Sequence, residues 1–229
     1  MAMSIDPQLT NAPGSNAVAL GAAVIERLVA LGSATLYEAA GRIGALPCRV
    51  ASTSPRLPVC GRAFPVETDG GDNLAIHHAI YAAQPGDVLV VNVSGAREYG
   101  YFGEVMARAA MAVGVAGLVI DGGVRDADRM TDLGFPVFAA NRCINGTTKR
   151  PDAVLAVGSS TKIGEITIFR GDVVVGDGDG VVVIQASDLD EVVASSERRE
   201  VEEGTIFERL QAGESTIDIY RLAQYGEGQ

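Results

Sequence analysis

The segment DGGVRD, residues 121–126, has the residue types and spacing best suited to chemistry in this chain. It follows the apolar run VAGLVI, which predicts a buried strand, and it leads into a run that predicts a short helix. Arg125 offers a planar pair of donors for a carboxylate, and Asp126 offers a hard oxygen ligand for a metal. The same two residues would also suit an ion pair at a helix start, where aspartate complements the helix dipole. The spacing alone leaves both interpretations open.

A second candidate lies at Gly103 and Glu104, where a glycine- and tyrosine-rich loop gives way to a predicted helix. The backbone N–H groups of Val105 and Met106 are expected to be free to bind an anion there. Glu104 could hold a metal-bound water, or it could simply be a first-turn glutamate that the helix dipole favours. Each candidate follows a buried strand, so we expect the two to face one another across neighbouring strands. Together they would suit a small 2-oxo acid.

Other reactive side chains carry weaker signals. Lys149, in the run GTTK, would either contact a distal carboxylate of the substrate or be a solvated loop lysine. His77 lies on an amphipathic helix and is expected to be structural. Tyr99 and Tyr101 would either shape a pocket or pack their loop. Cys143 has no base partner in the sequence, so a role as nucleophile is not expected.

Composition excludes several classes of function. Of the 229 residues, 47% are apolar and 28 are glycine, and 29 acidic against 18 basic residues give a net charge of -11. A disordered chain has too few apolar residues to match this, and so negative a chain is not expected to bind nucleic acid or a membrane surface. No apolar run approaches the roughly 18 residues of a membrane-spanning helix, and no secretory signal is recognisable. Three distant cysteines favour a reduced, cytoplasmic protein.

Metal chemistry is restricted in the same way. There is no pair of closely spaced cysteines, and the two histidines, His77 and His78, are adjacent. A zinc site with several histidine or cysteine ligands is therefore not expected. Any metal would have to be a hard cation that carboxylates and water hold.

The elements that must position these residues follow the chain in order. Residues 1–16 are predicted to be a loose arm, followed by helices over 18–31 and 34–46, with Ser33 as the N-cap of the second. The run 59–68 predicts a strand, in which Pro65 indicates an edge strand or a strand end. Strands and helices then alternate to about residue 140, which is typical of an α/β core with parallel strands. Gly122 and Gly123 are expected to form a turn after their strand.

The last third of the chain changes character at about residue 153. It is rich in predicted strands, and the glycines of 176–180 join two apolar strands with no helix following. That context predicts a hairpin turn and not a cofactor-binding glycine loop. Residues 187–215 predict one helix with a break near Gly204. We therefore expect a single domain over 1–229, with a helical C-terminal extension over 187–229 that packs on a neighbouring subunit.

Five motifs occur along the chain: ATLYEAAGRIG, GDNLAIHHAIYAAQPGDVLVV, GVAGLVIDGGVRDADRMTDLGFPVFA, NGTTK and GDVVVGDGDGVVVI. Taken together, over about residues 33–222, they resemble the RraA-like family. The spacing of Glu104 from Arg125-Asp126, with twenty residues between, resembles the pattern of its class II pyruvate aldolases. Those enzymes act on 4-hydroxy-4-methyl-2-oxoglutarate and 4-carboxy-4-hydroxy-2-oxoadipate. The resemblance implies an α/β fold of the three-layer, swivelling β/β/α type with a mixed sheet.

The resemblance also implies a set of ligands. A Mg²⁺ or Mn²⁺ ion would be held mainly by water, with Asp126 as its direct protein ligand. Arg125 would contact the pyruvyl part of the substrate, and Gly103 with the amides of Val105 and Met106 would bind its carboxylate.

The resemblance further implies assembly into a homotrimer or homohexamer with sites between subunits. An acidic residue near the C-terminus would reach the site of the adjacent subunit, and Glu203 matches it best, with Glu200 as the alternative. Glu104 and Glu203 would each hold a metal-bound water.

The expected reaction is retro-aldol cleavage that leaves the enolate of pyruvate. A divalent cation and Arg125 would stabilise that charge, and a water oriented by Glu104 and Glu203 would remove the proton of the 4-hydroxyl. Oxaloacetate decarboxylation gives the same enolate and is expected as a side activity. Two alternatives remain: a non-catalytic binding protein like the ribonuclease E regulators, and a lyase or decarboxylase for another oxo acid.

Overall fold

The structure is a computed structural model that describes residues 20–225, so the predicted arm over 1–16 lies outside the described residues. The helices are α1 (Ala22–Ala39), α2 (Leu74–Ala82), α3 (Glu104–Ala112), α4 (Ala127–Asp132), α5 (Leu189–Gln211) and α6 (Thr216–Ile219). The strands are β1 (Ala51–Ser52), β2 (Val59–Thr68), β3 (Asp87–Asn92), β4 (Gly100–Phe102), β5 (Gly117–Val124), β6 (Val137–Arg142), β7 (Val154–Val157), β8 (Ser160–Ile163), β9 (Ile166–Phe169), β10 (Val173–Gly176) and β11 (Val181–Ile184).

A mixed sheet organises the domain, in the order β1-β6-β5-β3-β2-β10-β11, with β4 beside β5 and β7 beside β2. Strands β2, β3, β5 and β6 are parallel, which confirms the predicted parallel core. Strands β1, β7, β10 and β11 are antiparallel to their neighbours. Because β2, β3 and β5 are connected through helices, their carboxyl ends lie along one edge of the sheet, where an α/β protein binds its ligand.

Three layers of apolar side chains fill the domain. Helices α2, α3 and α4 cover one face of the parallel strands. On the other face the sheet curls on itself and the β8–β9 hairpin completes the enclosed layer. The curl brings β6 close to β10, where a Cβ on Gly176 would lie 3.0 Å from the Phe138 ring. Helices α1 and α5 cover the outer side of β10 and β11. This confirms the expected three-layer α/β fold with a mixed sheet, and the structure shows in addition that the sheet is nearly closed.

Helix α1 contains the two helices that the sequence predicts, joined at Gly32, whose φ of 76° and ψ of 157° break the helix. Ser33 does not cap the second part in the expected way. Its N–H and hydroxyl both donate to Asp177, at 2.7 Å and 2.6 Å. The second part ends at Ala39, earlier than the predicted residue 46.

The prediction that Pro65 marks an edge or an end of its strand is wrong. Strand β2 lies inside the sheet, with β3 on one side and β10 and then β7 on the other. The Pro65 carbonyl accepts a hydrogen bond from Gly158 on the side of β7. Its ring nitrogen therefore faces the position where the partner of β2 changes from β10 to β7, and no ladder hydrogen bond is lost.

The predicted break near Gly204 is also wrong, because α5 runs unbroken over 23 residues. Only its first turns are packed on the domain, through Leu189, Val192, Val193 and Ser196. The rest of α5 and the short α6 leave apolar side chains exposed. Within residues 20–225, no helix has the length and apolar character needed to cross a membrane.

Candidate active site

The DGGVRD segment is not a turn, as the sequence predicted, but the end of strand β5. Pairing continues on both sides, with Gly100 of β4 and Asn141 of β6 opposite Gly123. A Cβ on Gly123 would lie 2.5 Å from the carbonyl oxygen of Tyr99 and closer still to the Asn141 amide. The glycines do allow close approach, but the approaching groups belong to the chain's own neighbouring strands.

Asp121, at the start of this segment, is a structural anchor. Its side chain is buried, and both Arg49 and Arg97 bind it through paired hydrogen bonds of 2.8 to 3.0 Å. Burial acts to raise the pKa of Asp121, but the hydrogen bonds and charges of the two arginines outweigh it and hold the pKa below its ordinary value. Asp121 therefore stays ionised and ties two loops to the sheet.

Asp126 has very different surroundings. It begins α4 with a left-handed backbone, φ 55° and ψ 29°, which is uncommon for a residue other than glycine. Its carboxylate is half exposed and accepts a hydrogen bond from the Glu104 N–H at 3.2 Å. The Arg125 guanidinium lies 3.9 Å from it, too far for a hydrogen bond. The end of β5 and the start of α3 are therefore in direct contact, as the sequence predicts.

Gly103 makes this contact close. A Cβ at that position would lie 2.6 Å from Asp126 Oδ2 and 3.0 Å from Arg125 Cγ. The φ of Gly103 is -153°, an extended backbone that any residue adopts. Glycine is needed here for space and not for conformation.

A cavity of about 330 Å³ lies where these elements meet, a volume suited to a small ligand. Its walls come from the start of α3, the end of β5, the start of α2 and the loop before β7. Six of the predicted site residues line it, namely Gly103, Val105, Met106, Arg125, Asp126 and Lys149.

The start of α3 offers fewer free donors than expected. The Met106 N–H is not free, because it donates to the Gly103 carbonyl at 3.0 Å and tightens the first turn. The Glu104 N–H is used by Asp126. The Val105 N–H has no acceptor among residues 20–225. One first-turn amide, and not the predicted two, is therefore open to a ligand.

Two predicted acidic residues do not line the cavity. Glu104 turns toward Arg108, which binds one carboxylate oxygen through hydrogen bonds of 2.8 and 2.9 Å. Glu203 lies on the projecting part of α5, 3.5 Å from Arg199. In a single chain the first turns of α5 pack against α1, so Glu203 and its alternative Glu200 are not brought to the cavity. Their roles stay predictions.

The sequence interpretation missed or undervalued two polar residues in the cavity wall. Asn73 is 95% buried, and its Nδ2 donates to the Tyr101 carbonyl at 2.9 Å, while Oδ1 has no hydrogen-bond partner among the residues that the structure describes. His77 lies one helical turn further on. Burial lowers the pKa of His77 and nearby Lys149 lowers it further, so the ring is neutral at pH 7. The only signal for either was a polar residue on an otherwise apolar helix face.

The tyrosines of the preceding loop are structural. The Tyr101 hydroxyl donates to the Ala96 carbonyl at 2.5 Å and accepts from the Gly71 N–H at 2.8 Å. Tyr99 packs edge-on against it, with ring centroids 5.9 Å apart.

The donor set limits which metal ions would fit. Within the part of the chain that the structure describes, no group of three histidine, cysteine or acidic side chains is arranged to hold a metal. Asp126 alone presents a half-exposed carboxylate at the cavity. One carboxylate, with water and ligand oxygens completing the shell, suits Mg²⁺ or Mn²⁺ and not zinc.

Comparisons with known proteins agree with this fold. A family model described as "RraA-like: Aldolase/RraA" matches residues 33–183. A Halalkalibacterium halodurans protein named "Putative 4-hydroxy-4-methyl-2-oxoglutarate aldolase" is 34% identical over 145 residues, covering 63% of this chain and 68% of that protein.

Two solved structures are similar over most of the chain. An uncharacterized Pseudomonas syringae protein has a TM-score of 0.79 at 30% identity, covering 93% of this chain and 99% of its own. A Streptomyces coelicolor protein, described as "RraAS2, an unusual member of the RNase ES inhibitor RraA protein family", has a TM-score of 0.70 at 29% identity. That match covers 83% of this chain and 98% of the other.

Proposed function

Because this chain belongs to the RraA-like family, we propose that it is a divalent-metal-dependent aldolase that releases pyruvate from a 4-hydroxy-2-oxo acid. The substrate would be of the 4-hydroxy-4-methyl-2-oxoglutarate or 4-carboxy-4-hydroxy-2-oxoadipate type. The name of the Halalkalibacterium halodurans relative supports this substrate class.

The observation that carries the proposal is the meeting of Arg125, Asp126 and the open Val105 amide at one cavity. A guanidinium and a helix N-terminus bind a carboxylate well, and a half-exposed carboxylate beside them holds a hard cation. A family member that only binds another protein has no need to keep these three groups together around a cavity.

In the proposed reaction, the Val105 N–H and Arg125 bind the carboxylate of the 2-oxo acid and fix its orientation. Asp126, kept in place by the Glu104 N–H, would hold the Mg²⁺ or Mn²⁺ ion. When bound, such a cation stabilises negative charge on the 2-keto oxygen as the carbon–carbon bond breaks. Arg125, whose guanidinium lies 3.9 Å from Asp126, would add to that stabilisation.

The proton of the 4-hydroxyl must also be removed. We propose that water is the base, and we assign no step to His77 on the α2 wall. Glu104 would orient this water once its carboxylate has separated from Arg108. That separation costs little free energy, because the ion pair between Glu104 and Arg108 is exposed. Glu203 of a neighbouring subunit, or Glu200 in its place, would complete the arrangement.

This last step requires self-association, which we propose to be a homotrimer or a pair of trimers. The projecting end of α5 and the segment that follows expose a set of apolar side chains: Val201, Phe207, Ile217, Tyr220 and Tyr225. Exposed apolar side chains in such number are typical of an interface. A subunit contact there would carry Glu203 toward an adjacent cavity.

A second candidate function is a regulator that binds a ribonuclease without catalysis. The description of the Streptomyces coelicolor relative favours it. The two functions make opposite predictions for pyruvate release, so one assay separates them.

The test is pyruvate release from 4-hydroxy-4-methyl-2-oxoglutarate, 4-carboxy-4-hydroxy-2-oxoadipate and oxaloacetate, before and after removal of metal with a chelator. We expect release to fall by about 100-fold after chelation and to return with Mg²⁺ or Mn²⁺. An Arg125→Ala variant, assayed with the same metal, controls for decarboxylation by free metal ions. Release that the chelator leaves unchanged would overturn the metal requirement, and no release from any compound would favour the regulator.

A further inference from the structure

Arg108 binds the Glu104 carboxylate in a position from which it does not line the cavity. The Nε and Nη2 atoms of Arg108 donate to the same oxygen, Glu104 Oε1, at 2.9 and 2.8 Å. Within residues 20–225, neither side chain has another hydrogen-bond partner. Gly103 and Val105, on either side of Glu104, do line the cavity. A change of side-chain rotamer, with the backbone in place, is therefore enough to turn the Glu104 carboxylate toward the cavity.

The geometry of this ion pair differs from that of the buried pairs in the same domain. Asp121, whose side chain is 5% exposed, is bound by Arg49 and Arg97, each of which gives one donor to each carboxylate oxygen. Arg108 gives both donors to one oxygen of Glu104, and the two side chains are 61% and 29% exposed. Water screens such a pair, and its contribution to stability is small. The pair between Arg108 and Glu104 is therefore easy to open, whereas the pairs of Asp121 are fixed.

The start of α3 lies beside the carboxylate that is proposed to hold the cation. The Glu104 N–H donates to Asp126 Oδ2 at 3.2 Å, which fixes the backbone of Glu104 next to Asp126. While Asp126 holds no cation, its charge repels a second free carboxylate, so pairing with Arg108 is the better position for Glu104. A cation at Asp126 reverses this preference, because it attracts both carboxylates. The position of Glu104 is thus linked to the loading of Asp126.

We propose that Arg108 is a positioning residue that holds Glu104 outside the cavity until a cation is bound at Asp126. Arg108 then competes with the cation for Glu104, so it weakens cation binding. The inference rests on the proposed function, which supplies the cation and the roles of Asp126 and Glu104. It adds a residue that regulates this same site, and it predicts that the removal of Arg108 strengthens the site instead of damaging it.

The first experiment measures the binding of Mn²⁺ alone, without substrate, to the wild-type protein and to Arg108→Gln by calorimetry. Glutamine keeps part of the side-chain stem and has a helix propensity close to that of arginine, so α3 should be unaffected. We expect the Kd for Mn²⁺ to fall about threefold, because Glu104 no longer has to leave a partner before it reaches the cation. A Kd that stays unchanged or rises would overturn the inference.

A double-mutant cycle separates this effect from the loss of a positive charge near the site, which by itself also favours a cation. In a Glu104→Gln background there is no carboxylate for Arg108 to hold. Arg108→Gln should then change the Kd for Mn²⁺ by less than about 1.5-fold, since it acts only through Glu104. An equal gain in both backgrounds would overturn the inference, because the charge of Arg108 alone would account for it.

The second experiment measures pyruvate release at two Mn²⁺ concentrations. At about one tenth of the wild-type Kd, Arg108→Gln should release pyruvate about threefold faster than the wild-type protein, because more of its sites are loaded. At saturating Mn²⁺ the two rates should agree within about 1.5-fold, since Glu104 has left Arg108 in both proteins. A merely structural role of Arg108 predicts the opposite sign, with a lower rate at both concentrations.

Two control variants complete the experiment. Arg108→Lys keeps the charge but not the planar pair of donors, so its Kd for Mn²⁺ should lie between those of the wild-type protein and Arg108→Gln. Arg42→Gln removes a pair of the same i, i+4 type, in which Arg42 Nε lies 3.1 Å from Glu38 Oε2 and both residues lie away from the cavity. It should leave Mn²⁺ binding and pyruvate release at the wild-type values.

The outcomes also separate this inference from the proposed function. If the wild-type protein releases no pyruvate from any 4-hydroxy-2-oxo acid, the proposed function fails, and the role of Arg108 fails with it. If the wild-type protein releases pyruvate but Arg108→Gln neither tightens Mn²⁺ binding nor raises the rate at low Mn²⁺, only the role of Arg108 is wrong.

Discussion

Asp121 and Asp126 lie five positions apart on one segment and have opposite surroundings. Asp121 is buried, and two arginines use both of its oxygens. Asp126 is half exposed, lies at the cavity and accepts one backbone hydrogen bond. The Asp121 carboxylate has few lone pairs left to bind a ligand, whereas the Asp126 carboxylate has most of its lone pairs free.

The difference shows why charge and spacing alone do not identify a functional residue. Asp121 lies within β5 and Asp126 comes just after it, and each is near an arginine. The geometry of the arginine decides between them, since Arg49 and Arg97 bind Asp121 in paired fashion whereas Arg125 stays 3.9 Å from Asp126. The end of β5 thus combines an anchor for the fold with a residue that is available for chemistry.

The strongest test of this contrast is Asp126→Ala. We expect pyruvate release to fall by about 10³-fold, because the variant removes the proposed protein ligand of the cation. The free energy of unfolding should change by less than about 1 kcal/mol, since the side chain is half exposed. Steady-state kinetics and chemical denaturation measure the two quantities.

Asp128→Ala is the control for Asp126→Ala. Asp128 lies on the same helix, 89% exposed and paired with Arg142. Its removal should leave both activity and stability near the wild-type values. Normal turnover in Asp126→Ala would show that this carboxylate is not part of the chemistry.

Asp121→Asn should have the opposite profile. Replacing a buried carboxylate between two guanidinium groups leaves both without their partner, and we expect a loss of about 3 kcal/mol in the free energy of unfolding. Lys162→Ala, which removes an exposed pair with Glu165, should cost less than about 0.5 kcal/mol. An equally small effect of Asp121→Asn in urea denaturation would contradict the role of Asp121 as an anchor.

Asp121→Asn is also expected to change how the free energy of unfolding depends on pH in the acid range. The pKa of Asp121 is lower in the folded protein than in the unfolded chain, so the folded state binds fewer protons and stability rises with pH. The contribution is fully present above the unfolded pKa of about 3.9 and is lost as the pH falls through the folded value. Asp121→Asn should therefore show a flatter acid limb in unfolding curves between neutral pH and pH 3.

The sequence predicted the parallel core and the meeting of α3 with the end of β5. Apolar runs with glycine at helix ends, such as Gly114 and Gly134, carry a periodic signal over many residues. Pro65 and Gly204 misled the prediction because single residues were interpreted by their intrinsic preferences. At Pro65 the strand changes partners, so no ladder hydrogen bond is lost. A single glycine costs a helix only about 1 kcal/mol, which the other residues of the 23-residue α5 outweigh without packing at Gly204.

Prediction of the site from the sequence was limited in a similar way, because single residues had to be interpreted without their partners in the fold. Arg125 and Asp126 were identifiable because two polar residues follow a buried strand. Asn73 was not, because it precedes a helix and looks like an ordinary cap residue. Its partner Tyr101 is distant in the chain, and only the folded structure brings them together.

Substitutions at two glycines test the contrast between the structural Asp121 and the proposed catalytic Asp126. Each substitution makes the smallest possible change, the addition of one methyl group. A Cβ on Gly123 would meet the Tyr99 carbonyl at 2.5 Å, and backbone cannot move aside without disturbing the sheet. A Cβ on Gly103 would meet Asp126 Oδ2 at 2.6 Å and Arg125 Cγ at 3.0 Å, both on side chains that can rotate. The first substitution strains the fold, and the second displaces the proposed catalytic groups.

We therefore expect Gly123→Ala to lower the free energy of unfolding by about 2 kcal/mol, as overpacking against backbone does. Gly103→Ala should cost less than about 1 kcal/mol in stability but reduce kcat/KM for pyruvate release about tenfold, because small displacements of reacting groups are costly. Thermal unfolding and kinetics on both variants provide the comparison. A Gly103→Ala variant that is unstable but fully active per folded molecule would show that the contact between Gly103 and Asp126 stabilises the fold, as Asp121 does. The contrast between a structural Asp121 and a catalytic Asp126 would then be wrong.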